Sequence, residues 1–204
     1  MVDYRIRRKD QQMKYRVIAD NREQLGQYLK DLGLNGYGVE VGVQKGIFSK
    51  CLLKTSELKK LYMVDIWRKI PTSYNDIANV GPFAHLQCMM QAFLKVYDFG
   101  HRAVMIREAS LEAAELFPDQ ALDFVYLDAD HSYEGALADI KAWFPKVRKG
   151  GILAGHDFIN SPREENGAAD FGVQVAVEEF AREHDFEILV TGEADQLKSW
   201  IIKV

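Results

Sequence analysis

Short apolar runs alternate with stretches of helical periodicity along most of this chain, and all but one of the five main runs meet a glycine or an acid at or near their ends. The runs are "YGVEVGV" (37–43), "LYMVDIW" (61–67), "AVMI" (103–106), "LDFVYLD" (122–128) and "KGGILAG" (149–155). Between them apolar residues recur three and four apart. Leu25, Tyr28, Leu29 and Leu32 form one such set, and Leu86, Met89, Met90, Phe93, Leu94 and Tyr97 a second. Tyr133, Ala136, Leu137, Ile140, Trp143 and Phe144 form a third, and Val173, Ala176, Val177, Phe180 and Ala181 a fourth. The near-continuous runs suit parallel strands covered on both faces, and the periodic segments suit helices. That alternation specifies an α/β fold: a doubly wound, mostly parallel, seven-stranded Rossmann-like sheet. The closing runs "FEILV" (186–190) and "SWIIKV" (199–204) lie too close together for a helical crossover, so a C-terminal antiparallel hairpin is expected. Residues 35–204 read as one domain, and residues 1–34 as a helical arm or cover.

The charge balance narrows the partners. Net charge is −4, which offers no overall cationic footprint for nucleic acid, and the basic run "RIRRK" (5–9) reads as a solvated terminus. Cys51 and Cys88 lack the spacing of a structural zinc site or a disulfide framework. No apolar stretch approaches the roughly 18 residues of a membrane span, and the N-terminus is charged where a signal peptide is apolar. A cytoplasmic protein without membrane or nucleic-acid partners is expected.

In doubly wound sheets ligands sit outside the carboxyl ends of the strands, so strand-terminal residues carry the information. The first run passes into "VEVGVQKG" (39–46). Gly42 and Gly46 permit close backbone approach to a ligand at a helix N-terminus, although a plain tight turn uses glycines equally well. The dinucleotide fingerprint needs a third glycine, which weakens a pyrophosphate reading. Asp65 ends the second run, where an acid accepts hydrogen bonds from ribose hydroxyls; a solvated strand-terminal acid is the alternative. The glycine turn and the acid together point to a nucleoside pocket. Ser110, in "REAS" (107–110), is placed to meet an adenine edge.

The fourth run ends at Asp128, and "HDF" (156–158) follows the fifth. Adjacent parallel strands bring such ends within about 5 Å, so Asp128, His156 and Asp157 could ligate one divalent cation. His131 is the candidate base, because an imidazole titrates at about 6.5. Against these stand plainer roles: Asp130 or Ser132 capping the next helix, with Ser132 the expected cap, and His156 as a structural histidine.

"VEVGVQKG", Asp65, "YLDADHSYEGALADIKAW" and "KGGILAGHDF" together resemble class I S-adenosylmethionine-dependent methyltransferases. The likeness is to metal-dependent small-molecule O-methyltransferases of the catechol and macrolide-sugar type, and spans about residues 35–204. It implies that Glu40, Gly42, Val43 and Gly46 surround the methionine moiety, Asp65 and Ile66 the ribose, and Ala109 and Ser110 the adenine. Asp128 would border the cofactor as well as the chemistry. Glu108 stands where many relatives have glycine. His156 replaces an acid or amide of the metal-dependent relatives, which admits iron or zinc beside magnesium or manganese. The implied activity is methyl transfer from S-adenosylmethionine to a small hydroxylated acceptor, aided by the metal, with His131 as base and Asp128 beside it. A metal-independent transferase of the same fold, a nucleotide-dependent oxidoreductase and a non-catalytic nucleoside-binding module are the alternatives. The long connections 67–83 and 159–172 are expected to hold the acceptor: Trp67 packs on the nucleoside, Tyr74 or Phe83 on the acceptor, and Arg68 and Lys69 tolerate an anionic group. The N-terminal arm covers the cofactor or meets a second subunit of a homodimer.

Overall fold

Leu122–Leu127 is buried at all six positions, and this strand forms the middle of the molecule. The computed structural model describes residues 15–70, 79–162, 170–192 and 197–204. Eight strands form one sheet: β1 (Arg16–Ala19), β2 (Tyr37–Val41), β3 (Lys60–Asp65), β4 (Ala103–Arg107), β5 (Leu122–Leu127), β6 (Val147–Gly155), β7 (Leu189–Thr191) and β8 (Trp200–Lys203). Their order is β1-β7-β8-β6-β5-β2-β3-β4. β5 lies parallel between β2 and β6, which explains its unbroken apolar character. β7 and β8 pair antiparallel as expected, and β8 also pairs antiparallel with β6, so it is inserted between them. Strand order reverses between β5 and β2, and this is where such a sheet opens a crevice.

Helices cover both faces: α1 (Leu25–Asp31), α2 (Ile47–Thr55), α3 (Pro82–Val96), α4 (Ser110–Ala114), α5 (Tyr133–Trp143) and α6 (Val173–Glu183). On one face Ile140, Trp143, Val177 and Phe180 pack with Val41, Val125 and Leu153. On the other Leu29, Leu52, Leu53 and Ala92 pack with Met63, Phe124 and Tyr126. Ser132 caps α5 as expected, its Oγ accepting from the Gly135 amide at 3.1 Å. Among the described residues no helix is long and apolar enough to cross a membrane.

Two features depart from the sequence reading. The segment before residue 35 is not helical throughout, because Arg16–Ala19 adds to β7 in parallel as an eighth strand. Tyr15 anchors it: its ring meets Phe158 edge-on at 5.1 Å and its hydroxyl donates to Glu178 on α6. The second departure is α3. The side turned to the sheet holds Cys88, Met89, Ala92 and Val96, whereas Leu86, Met90, Phe93, Leu94 and Tyr97 face outward. The helix sits close to α2 through small residues, since a Cβ on Gly46 would lie 2.9 Å from the Cα of Ala92.

Trp143 ties α5 to the sheet and to α4. It is fully buried, lies 5.5 Å from the Phe117 ring, and donates from Nε1 to Ser110 Oγ at 3.0 Å. Trp143→Ala is expected to cost about 3–5 kcal/mol, measured by urea unfolding as a lower midpoint at unchanged slope.

Candidate active site

The loops after β2, β3, β4 and β5 enclose a cleft of about 950 Å³, closed on one side by α3. That is a volume suited to a nucleoside-sized ligand. Each strand end contributes a different constraint.

At the end of β2, Gly42 has φ +90°, and a Cβ there would lie 1.8 Å from the Asp128 carbonyl oxygen. The residue must be glycine because one chain crosses another at this point, whether or not a ligand is near. Gly46 starts α2 with φ +69° and backs onto Ala92, away from the cleft lining. Glu40 lines the cleft floor at 2% exposure, and its carboxyl accepts from Ser49. Burial, reinforced by Asp128 and Asp65 and opposed by Ser49 and Arg22, pushes Glu40 up to about 8.

Asp65 organises two loops. Its Oδ2 accepts from the Gln44 amide and its Oδ1 from the Trp67 amide, both at 2.7 Å. Both partners are left-handed, with φ 48° and 36°, and the Trp67 indole closes the latch by donating to the Gln44 carbonyl at 2.9 Å. Burial raises the Asp65 carboxyl despite these amides. Trp67 is thus a buried wall of the cleft, with Val43 and Ile66 beside it.

Ala109 and Ser110 line the far end. The Ser110 hydroxyl donates to Asp139 Oδ1 at 2.5 Å and accepts from Trp143, so its hydrogen is committed to Asp139. Asp139 escaped the sequence reading. It is 5% exposed on α5, and burial pushes it up to about 7, with Asp130 adding and Ser110 opposing. Its signal was present: an acid on the same helical face as Ala136 and Trp143.

At the other end Asp128, His131 and Asp157 converge, with donor atoms within 4.8 Å of one another. His131 Nε2 lies 2.9 Å from Asp157 Oδ2 and 3.7 Å from Asp128 Oδ1. His156 flanks them, its Nδ1 3.1 Å from Asp157 Oδ1 and 3.8 Å from Asp128 Oδ1, and it lines a small separate cavity instead of the cleft. Asp157 sits at φ +49°, a conformation uncommon for a non-glycine residue. Burial alone would raise its carboxyl, but the hydrogen bonds of His131 and His156 outweigh burial and hold it well below the usual range. His131 stacks on Phe171, centroids 5.2 Å apart.

Arg22 reaches this cluster from the turn after β1, with Nη1 3.2 Å from Asp128 Oδ2 and its guanidinium over the Phe48 ring at 5.1 Å. Nothing in the sequence distinguished it from other surface arginines. Arg68 lines the cleft, whereas Lys69 is exposed and Phe83 points outward from α3. Tyr74 and "RIRRK" lie outside the described residues.

Residues 39–158 match the family described as Methyltransferase domain. No curated protein matches the sequence. Among solved structures the chain is similar to a Staphylococcus aureus protein described as a caffeoyl-CoA O-methyltransferase, with TM-score 0.62, 14% identity, and 90% of this chain and 82% of that one covered. It is also similar to an rRNA methylase from Streptococcus thermophilus, with TM-score 0.59, 14% identity and coverage of 88% and 93%. A SAM-dependent methyltransferase from Aquifex aeolicus gives TM-score 0.56, 16% identity and coverage of 90% and 93%. At such identities the structures share the fold, not the substrate.

The buried acids carry a pH dependence whose sign follows from the shifts. Glu40 and Asp139 keep protons in the folded chain that the unfolded chain loses near pH 4. Stability is therefore expected to decline from about pH 4 to about pH 8 and then level, by on the order of a few kcal/mol. Asp157 acts oppositely, its contribution being lost only as pH falls below about 4. Urea midpoints at pH 5 and pH 8 should differ accordingly, and Asp139→Asn should narrow the difference.

Proposed function

Because the chain belongs to the class I S-adenosylmethionine-dependent methyltransferase family, we propose that it methylates a hydroxyl oxygen of a small molecule at this cleft, with a divalent cation held by Asp128, His131 and Asp157. The observation that carries the reading is the convergence of those three side chains at one end of a cleft whose other end is walled by Asp65, Ala109 and Ser110. The cofactor would lie between, with its methionine end beside Glu40, Gly42 and Val43, its ribose at Asp65 and Ile66, and its adenine at Ala109 and Ser110. Gly46 supports that turn from behind.

Two carboxylates and an imidazole are a donor set that accepts magnesium, manganese, iron or zinc. When bound, S-adenosylmethionine supplies a methyl group on a sulfonium, and the cation lowers the pKa of a hydroxyl held against it. The chain's own part is positional and electrostatic. Asp157 and Asp128 both face His131 Nε2, which makes that nitrogen the proton acceptor of this reading while no cation shares the cluster. A cation held by the cluster would take the same nitrogen as a ligand, so proton and metal would compete for it. His156 holds Asp157 from the far side. The acidic net charge of the chain supports a small acceptor over a polyanion.

Calorimetric titration with S-adenosylhomocysteine is expected to show binding with and without manganese. A separate heat for manganese should vanish in Asp157→Ala, and Asp65→Ala should weaken the nucleoside by about 10- to 100-fold. Absence of nucleoside binding would remove the reading altogether.

In a turnover assay over hydroxylated acceptors, with ribosomal RNA as a parallel arm, His131→Ala and Asp128→Asn should lower the rate by about 100-fold or more. Cofactor affinity should change little. Equal rates in chelator and in manganese would strip out the metal, and methylation of the RNA alone would overturn the small-molecule acceptor.

A further inference from the structure

The outward face of α3 is an apolar surface that the methyl-transfer site does not use. Phe83, Leu86, Met90, Phe93, Leu94 and Tyr97 are each between 46% and 72% exposed. His85, Gln87 and Gln91 turn toward the cleft, and Lys95 is the one residue from 83 to 97 that is charged at neutral pH when histidine is neutral. Soluble chains seldom present so many large apolar side chains along one helix without a partner.

We propose that this face joins two copies of the chain in a two-fold dimer, with the α3 helices antiparallel about an axis at Met90. The spacing of five of the six is symmetric about that residue, and Phe93 alone has a polar counterpart, Gln87. Phe83 and Tyr97 each lie one heptad from Met90, and Leu86 and Leu94 each lie one turn from it. A two-fold contact requires this self-complementarity, because each residue must meet the symmetry mate of its counterpart. Phe83 then packs beside Tyr97 of the other copy, Leu86 beside Leu94, and Met90 on itself. Two ridges of this kind interdigitate at the shallow crossing typical of antiparallel helix pairs.

The area agrees. Six side chains of this size at these exposures offer on the order of 700 Å² per subunit before any rim is counted, against about 800 Å² per partner in a standard stable interface. The surface calls for a second copy, whose chemistry is the same as its own.

The dimer does not depend on the methyl-transfer reading, and its test is separate. Sedimentation equilibrium of the full chain at micromolar concentration is expected to give a dimer. Met90→Glu should weaken association by about 30-fold or more, because it places two like charges on the axis. Leu116→Glu, on an exposed site elsewhere, should leave association unchanged. Thermal melts of Met90→Glu in the dilute monomer should match the parent, since the side chain is exposed within one subunit. As a second arm, Met90→Cys on a Cys51→Ser, Cys88→Ser background should oxidise to a covalent dimer, and Leu116→Cys on the same background should not. A parent chain that is monomeric throughout would overturn the proposal. So would a dimer indifferent to Met90→Glu, which would use another face, or a monomer that sediments with neutral phosphatidylcholine vesicles, which would make the partner a lipid surface.

Discussion

The site rests on one backbone crossing. Asp128 N donates to the Val41 carbonyl at 2.8 Å and Gly42 N to the Val64 carbonyl at 2.9 Å, which carries the sheet's hydrogen bonding one residue past the strand ends. The turn after β2 then passes directly over the carbonyl of Asp128, in a space that no Cβ fits. This contact joins the loop after β2, which walls one half of the cleft, to the residue that starts the acid–histidine cluster. A shift of either strand end would move both halves of the site together.

Around that crossing the cleft is divided by charge state. Glu40, Asp65 and Asp139 are held toward the protonated form by burial, while Asp157 is held as an anion by two imidazoles. Carboxyl groups a few residues from one another in space therefore do opposite things. Burial acts against charge on the first three, whereas the imidazoles hold charge on the fourth. Such separation of acids by environment is how one site supplies both a binding surface and a proton- or metal-handling surface.

The architecture was legible because its signals are local and redundant. The unbroken apolar run 122–127, the cap at Ser132 and the short spacing of the last two runs each led to one outcome. What was misread depended on information that no window of sequence holds. Periodicity located α3 correctly but not the direction of its apolar side, since the sheet-facing side is made of Cys88, Ala92 and Val96 to allow close approach to α2. Four residues at 16–19 are too few for periodicity, and only pairing with β7 makes them a strand. Gly42, Asp65, Asp128, His131 and Asp157 were legible as cleft residues because they end strands or follow them directly. Arg22 and Asp139 were not, because one arrives from a remote turn and the other lies within a helix. Ser110 was found, but its hydroxyl is engaged below the cleft by Asp139 and Trp143.

The insertion of β8 between β6 and β7 has a consequence for biosynthesis. β1 leaves the ribosome early, yet its partner is β7, and β7 connects to the rest of the sheet only through β8. The central strands β2 to β6 can assemble as the chain emerges, whereas the whole β1 side must wait for residues 189–203. During that interval β6 has an open edge of buried-type residues, and β1 has nothing to pair with. A nascent chain of this topology depends, for that time, on being shielded from its neighbours.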